Sequence, residues 1–338
     1  MFSLGPLVLI RRALVGGLLA LACALPLRPA AAEPFRVVAF AGASNWPFWV
    51  GQEKGFFKAA GLEPTLEITP NSVEMAKNLH AGRYDLALTA VDNLVAYDEG
   101  QGETDLGGPA DFVAVFGVDN GLLSIMAAPG VSRIADLKGK AISVDAMTTG
   151  FAFVLRDALA RNGLAEGDVQ WVKVGGGAQR LEALLKNEQA ATLLNTPLDL
   201  AAEAKGFTRL MRGRDAVGPY QGIVGAVRRS ALSDGAPELR KFISGFHASV
   251  AWLAEPANKA EAIRILTDRM KAMQGPPAEK AYAALLDPAS GIYRDLRIDR
   301  EGMKTVLRLR SAYGEPRKAL TDPGRYIDER PREAALKR

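Results

Sequence analysis

The sequence is short of the side chains on which much protein chemistry depends. Its 338 residues hold one cysteine, Cys23, and two histidines, His80 and His247. Cys23 falls within an N-terminal segment that reads as a leader, so the remainder has no disulfide, no thiol nucleophile and no cysteine metal ligand. The two histidines stand far apart and in no HExxH-like spacing, which assigns them structural or solvated roles rather than metal ligation. No G-x-S-x-G and no P-loop is present, and Gly175-Gly176-Gly177 lacks both the G-x-G-x-x-G pattern and a following Lys-Ser/Thr. That triple glycine reads as a tight turn. No catalytic residue, metal or cofactor is therefore assigned. Charge bias is lacking too. Of 42 basic residues, Arg11, Arg12 and Arg28 lie in the leader, which leaves the rest nearly balanced against 38 acidic ones. Nucleic-acid binding, which needs a concentrated basic surface, has no support. Long apolar runs are absent except over residues 13–25. That run follows Arg11-Arg12 and leads through Pro26 and Arg28 to Ala30-Ala31-Ala32, the arrangement of a secretory leader cleaved after Ala32. Cys23 raises a lipoprotein alternative, disfavoured by Ala20 where a larger aliphatic residue is usual.

What is present is an alternation of apolar runs and helical periods. Hydrophobic residues make up 48% and charged residues 24%, the proportions of a globular chain. The organising stretch is 140–163. Ala141-Ile142-Ser143-Val144 reads as a buried strand, and Asp145 to Gly150 as a polar turn. Phe151, Val154, Leu155, Ala158 and Leu159 then recur at helical spacing up to the stop at Asn162-Gly163. Thr148 or Thr149 either caps this helix or, with the free N–H groups of its first turn, faces a ligand. Two further units repeat the plan. Residues 85–89 lead through Ala90-Val91-Asp92-Asn93 into a helix, and residues 190–194 lead through Asn195-Thr196-Pro197 into another. Thr196 at the N-cap with Pro197 at the first helical position gives the start signal. Ligands of open α/β sheets bind outside the carboxyl ends of the strands, so the three turns are candidates for one shared site.

Other strands are expected at 35–40, 63–68, 111–116, 122–127, 169–174, 207–211 and 223–227. Pro47 opens a helix running to about Ala60, with Trp46 in the loop before it. Residues 117–121, rich in glycine, join two apolar runs as either a hairpin or a crossing between domains, and 218–222 is a second glycine-rich entry to an apolar run, where the chain can return to the first domain. From Pro237 the pattern is helical, over 239–253, 259–270, 278–286 and 300–313. The charged end, 325–338, is expected to fray.

The order of elements resembles the type II periplasmic solute-binding proteins of ABC importers, in the subgroup for nitrate, sulfonates, taurine and thiamine-pyrimidine precursors. The residues that carry the resemblance are Trp49-Val50-Gly51-Gln52-Glu53-Lys54-Gly55-Phe56-Phe57-Lys58-Ala59-Ala60-Gly61-Leu62, similar to the phrase "a-x-e-k-G-f-F-k-x-x-G-l". Ala135-Asp136-Leu137-Lys138-Gly139-Lys140 and residues 85–90 add to it. The resemblance implies an α/β fold of two lobes, each a mixed sheet flanked by helices, joined by a two-stranded hinge. Lobe 1 would hold residues 33–117 and 223–320, lobe 2 residues 118–222, after a leader of 1–32 and before a tail of 321–338. The ligand-binding positions would be Asn45, Trp46, Thr89, Asp92, Asn93, Asp119, Met147, Thr148, Thr149, Gly150, Asn195, Thr196, Tyr220 and Gln221. It implies a monomeric, periplasmic binding protein with a small-molecule solute and the membrane subunits of an ABC permease as partners. The four acids Asp92, Asp119, Asp145 and Asp199 in or beside these turns, and the lack of Arg or Lys within them, point away from a simple inorganic anion. Trp46, Phe48, Phe151 and Tyr220 favour a partly planar organic ligand. Two alternatives stay open: a thiamine-pyrimidine-synthase-like enzyme, whose cysteine-rich segment is absent here, and a ligand sensor for a membrane signalling partner.

Overall fold

A computed structural model describes Met1 and residues 34–270 and 273–337; the leader and Cys23 lie outside the described residues. Two five-stranded sheets, each flanked by helices, make a two-lobed α/β architecture. The first sheet holds β1 (Arg36–Ala39), β2 (Thr65–Ile68), β3 (Leu86–Ala90), β4 (Phe112–Gly117) and β10 (Ile223–Arg228) in the order β2-β1-β3-β10-β4. The second holds β5 (Leu123–Ala127), β6 (Ala141–Val144), β7 (Gln170–Lys173), β8 (Ala191–Asn195) and β9 (Thr208–Arg212) in the order β7-β6-β8-β5-β9. Both sheets are mixed. β1 runs parallel to β2 and β3, and β6 parallel to β7 and β8. β10 runs antiparallel to β3 and β4, and β5 antiparallel to β8 and β9.

Sequence explains which strands are central. Every residue of the interior strands β3 and β5 is buried, as expected of continuous apolar runs covered on both faces; β4, at the end of its sheet, is buried as well because the helices 91–98 and 330–336 pack on it. The edge strands β2, β7 and β9 carry the partly exposed, charged residues that protect an open edge. The helices of the first half are α1 (Trp46–Glu53), α2 (Phe56–Ala59), α3 (Ser72–His80), α4 (Val91–Asp98), α5 (Gly150–Arg161), α6 (Gly177–Leu185), α7 (Leu198–Glu203) and α8 (Gly213–Val217). The helix expected to run from Pro47 to Ala60 is broken at Gly55, whose φ of 72° takes the left-handed turn that separates α1 from α2. The C-terminal helices are α9 (Pro237–Ala254), α10 (Lys259–Arg269), α11 (Pro276–Leu286) and α12 (Arg300–Tyr313). Against the first sheet, α1, α2 and α9 enclose a cluster of rings centred on Phe242. Its ring lies 5.1 Å from Phe57, 5.4 Å from Phe35, 5.8 Å from Phe246 and 6.1 Å from Phe48.

Three expectations need correction. The charged end does not fray: α13 (Arg330–Leu336) packs on α9 and β4, and the Tyr326 hydroxyl, buried, donates to Glu99 at 2.9 Å. Thr196 does not cap a helix opened by Pro197. The Thr196–Pro197 bond is cis, α7 begins at Leu198, and the Thr196 hydroxyl donates to the Leu122 carbonyl at 3.4 Å. Third, the apolar runs on either side of 117–121 do not pair as a hairpin. β4 lies in the first sheet and β5 in the second, so this segment crosses between lobes, and 218–222 brings the chain back. The two crossings are bonded to each other. Val118 N–H donates to the Ile223 carbonyl at 2.9 Å and Gly222 N–H to the Asp119 carbonyl at 3.0 Å.

Candidate functional site

The carboxyl ends of β1 and β3 in one lobe face those of β6 and β8 in the other, and the turns leaving these strands meet. Ala43 N–H donates to the Thr196 carbonyl at 2.9 Å, Gly176 N–H to the Pro70 carbonyl at 2.9 Å, and Ser72 N–H to Asp145 Oδ2 at 3.0 Å. Backbone approaches of this kind need glycine. A Cβ on Gly42 would stand 2.2 Å from Asn195 Nδ2, and one on Gly176 would stand 2.9 Å from the Pro70 oxygen. Between the turns lies a cleft of about 40 Å³.

Six side chains give the cleft its chemistry: Phe40, Asn93, Asp145, Phe151, Arg180 and Asn195. Phe40 follows β1 and Phe151 opens α5, so each lobe offers one half-buried ring. Asn93 from α4 and Asn195 from β8 supply amides. Arg180, in the first turn of α6, is only 3% exposed. Its guanidinium donates to the carbonyls of Gly175 at 2.6 Å and Leu193 at 3.1 Å. No carboxylate lies within ion-pair distance of it among the described residues. Asp145, the nearest acid to act on it, is engaged by Ser72 N–H. Burial pulls the Arg180 pKa down to about 10, which leaves it charged at neutral pH. A buried cation without a counter-ion is costly, and an anion entering the cleft would offset that cost. At the start of α5 the Thr149 hydroxyl caps the helix through Ala152 N–H at 3.4 Å, while the N–H groups of Thr149 and Gly150 are taken by the Ala146 carbonyl and by Asp92.

The sequence-predicted positions divide. Asn93, Thr149, Gly150 and Asn195 line the cleft. Trp46 does not: it is fully buried, its indole N–H donates to the Ala262 carbonyl at 2.9 Å, and its ring meets Tyr282 edge-on at 6.0 Å. It is a core residue holding α1 to α10. Asn45, beside it, donates to the Phe40 carbonyl at 2.7 Å, and the Thr89 hydroxyl accepts from Asn93 at 3.0 Å. Asp92 turns into the protein and pairs with Arg310 of α12 at 2.8 Å, both wholly buried. Burial raises the Asp92 pKa and Arg310 pulls it back. Arg310 also donates to the Thr148 carbonyl and lies over the Phe153 ring at 4.8 Å, which ties α4, the 147–150 turn and α12 together. The Thr148 hydroxyl is taken by Glu103 at 3.1 Å, and Met147 packs, half-buried, against the core.

Asp119 and Gln221 belong to the crossings. Asp119 accepts from the Ser44 hydroxyl at 2.6 Å, Gly121 N–H at 2.8 Å and Ile223 N–H at 3.1 Å. Burial raises its pKa against these bonds. Gln221 donates to the Asp119 and Ile223 carbonyls and accepts from Asp299 N–H. Thr196 and Tyr220 border a different cavity, described below. Sequence reasoning did not single out Phe40 or Arg180. A signal for Arg180 existed: it lies three residues after Gly177 and four before Leu184, on the apolar face of its helix, where an unpaired charge is out of place.

The family described as NMT1/THI5 like matches residues 43–260. No curated protein matches the chain. Among solved structures, a protein from Bordetella bronchiseptica RB50 is similar at 21% identity, with a TM-score of 0.71 over 90% of this chain and 97% of that one. The ligand-binding component of an ABC-type import system from Staphylococcus aureus, with zinc bound, is 14% identical with a TM-score of 0.69, over 89% of this chain and 98% of the other. The alkanesulfonate-binding protein SsuA from Xanthomonas axonopodis pv. citri, bound to MOPS, is 19% identical with a TM-score of 0.66, over 86% and 96%. These identities speak for a shared fold, that of the binding proteins of ABC importers. The sequence match extends over more than half of the chain, and the chain belongs to the NMT1/THI5-like family.

Proposed function

We propose that this protein is the extracytoplasmic solute-binding component of an ABC importer, which captures a small organic anion between its lobes and delivers it to a membrane permease. The observation that carries the reading is Arg180, a buried guanidinium without a carboxylate partner, set in a cleft between two lobes. Phe40 and Phe151 would grip a planar or apolar body, Arg180 its acidic edge, and Asn93 and Asn195 its remaining polar atoms. Asp145 would accept a hydrogen from a donor on the ligand. The lobes would be residues 33–117 with 223–320 and residues 118–222, moving about the crossings at 117–121 and 220–223. Binding without turnover is part of the proposal, and so are release of the leader after Ala32, a periplasmic location and a monomeric state. Two observations support location and mode of action: structural neighbours are binding components of importers, and no helix among the described residues is long and apolar enough to cross a membrane.

Native mass spectrometry of protein purified from the periplasm tests the reading. The expected result is a monomer beginning at Glu33 that carries one organic anion, released unchanged on denaturation. A chemically altered product would move the enzyme alternative to the front. A lipid on Cys23 would overturn the processing, and a neutral or cationic passenger the role of Arg180.

A further inference from the structure

A second cavity, of about 520 Å³, shares no lining residue with the cleft. It is more than ten times the cleft's 40 Å³ and falls in the range that holds small-molecule ligands, about 300–1,000 Å³. The end of β9 and the start of α8 form one wall, and α7 and α11 form others. Asn120 and Tyr220, one from each crossing, close it on the hinge side.

The charges on its walls do not balance locally. Its three acids are all engaged. Asp199, 2% exposed, accepts from the Ser124 hydroxyl at 2.8 Å and from Arg209 at 3.3 Å. Glu203 pairs with Arg209 at 3.1 Å, and Asp287 accepts from the Ser290 hydroxyl at 2.9 Å and from two backbone N–H groups of its own loop. Arg214 is held by the Ala289 carbonyl at 2.9 Å. Arg212, at the end of β9, and Lys280, on α11, also border the cavity. Neither has a carboxylate partner among the described residues. Nε of Arg209 is buried without an acceptor, an unfavourable arrangement.

We propose that this cavity is a second ligand site, separate from the cleft, for a small polyvalent anion of the dicarboxylate or phosphate class. One charged group would meet Arg212, and the other would meet Lys280 on the facing helix. Two cations carried by different walls call for two charges on one ligand, which separates this chemistry from that of the cleft, where a single buried guanidinium meets a single acidic edge. Asn120 and Tyr220 place the site against the hinge.

The test is calorimetric titration of the processed protein with succinate and, separately, inorganic phosphate, at constant ionic strength balanced with chloride. The two arms distinguish the sources of the anion. Saturable binding of at least one is expected. The double substitution Arg212→Ala/Lys280→Ala should weaken it by about tenfold or more, while Arg180→Met should leave it unchanged. Both substituted side chains are exposed, so an unaltered melting curve is the expected check on folding. Absence of saturation with either anion overturns the proposal, as does equal binding by the double variant. Loss of binding in Arg180→Met does so as well, because the anion would then be sitting in the cleft.

Discussion

Replacing Arg180 with methionine removes the guanidinium while keeping much of the side chain's bulk, and it separates binding from scaffolding. Burial lowers the arginine's pKa from its ordinary value to about 10, which corresponds to roughly 3 kcal/mol against the charged form at one pKa unit per 1.36 kcal/mol. Against this stand two hydrogen bonds from a charged donor, to the Gly175 and Leu193 carbonyls, each contributing about 1.5–3 kcal/mol. The terms nearly cancel, so the ligand-free variant should match the parent within about 2 kcal/mol in urea unfolding. Binding has no such offset. Removing a charge-assisted hydrogen bond between ligand and protein in a desolvated site costs about 3 kcal/mol or more, roughly a hundredfold in Kd. Arg180→Lys keeps the charge but not the planar fork and should fall between the two. Calorimetry with the co-purifying ligand, alongside urea melts without it, reads both quantities. If Arg180→Met binds within about threefold of the parent and loses more than about 4 kcal/mol of stability, Arg180 is a strut for the Gly175 turn. The anion reading would then fail.

The pair of Arg310 with Asp92 is wholly buried, so Arg310→Ala should cost about 3–5 kcal/mol in urea unfolding. Adding Asp92→Ala should recover part of that stability, and an additive double variant would show that the two residues do not act as a pair. Asp98 gives the pH dependence. Burial pushes its pKa from 3.8 up to about 7 against the hydrogen bond from Phe112 N–H and the attraction of Arg229, with Asp111 and Glu99 adding to the rise. Because the folded value lies above the unfolded one, the stability tied to the protonated form is complete below about pH 4 and is lost as pH rises through about 7. Asp98→Asn should therefore leave the melting temperature unchanged at pH 4 and raise it at pH 8, by the equivalent of about 2 kcal/mol or more. An equal effect at both pH values would refute the assignment.

Strand and helix positions could be read from apolar runs and periods because central strands buried on both faces leave continuous signatures, as in Leu86 to Ala90 and Leu123 to Ala127. The glycine-rich segment 117–121 joins two apolar runs and fits a hairpin as well as a crossing; only the placement of β4 and β5 in different sheets decides for the crossing. The site was less legible, for a physical reason. Asp92 looks like a ligand-facing acid until its partner is known, and Arg310 lies 218 residues away. Asp119 likewise spends its oxygens on Ser44 and the second crossing. Trp46 sits beside a strand end, yet the all-round apolar character of α1, with Pro47, Phe48, Trp49 and Val50 all buried, already marks a core helix. Arg180 was passed over because a charge in an amphipathic helix is usually solvated. The folded C-terminal segment escaped notice because its charged residues obscured the anchors Tyr326 and Pro331.

The position of β10 has a consequence for the order in which the chain can acquire structure. This strand, residues 223–228, lies inside the first sheet between β3 and β4. A chain emerging from its N-terminus has made β1 to β4 long before the strand that joins β3 to β4 exists. The second sheet lies entirely within residues 123–212 and waits for nothing downstream. The lobe in the middle of the sequence is thus free to mature first, while the lobe that begins the sequence stays incomplete with two open strand flanks. Pulse-labelled hydrogen exchange during refolding should show residues 123–212 protected before residues 86–117; the reverse order would refute the sequence of events.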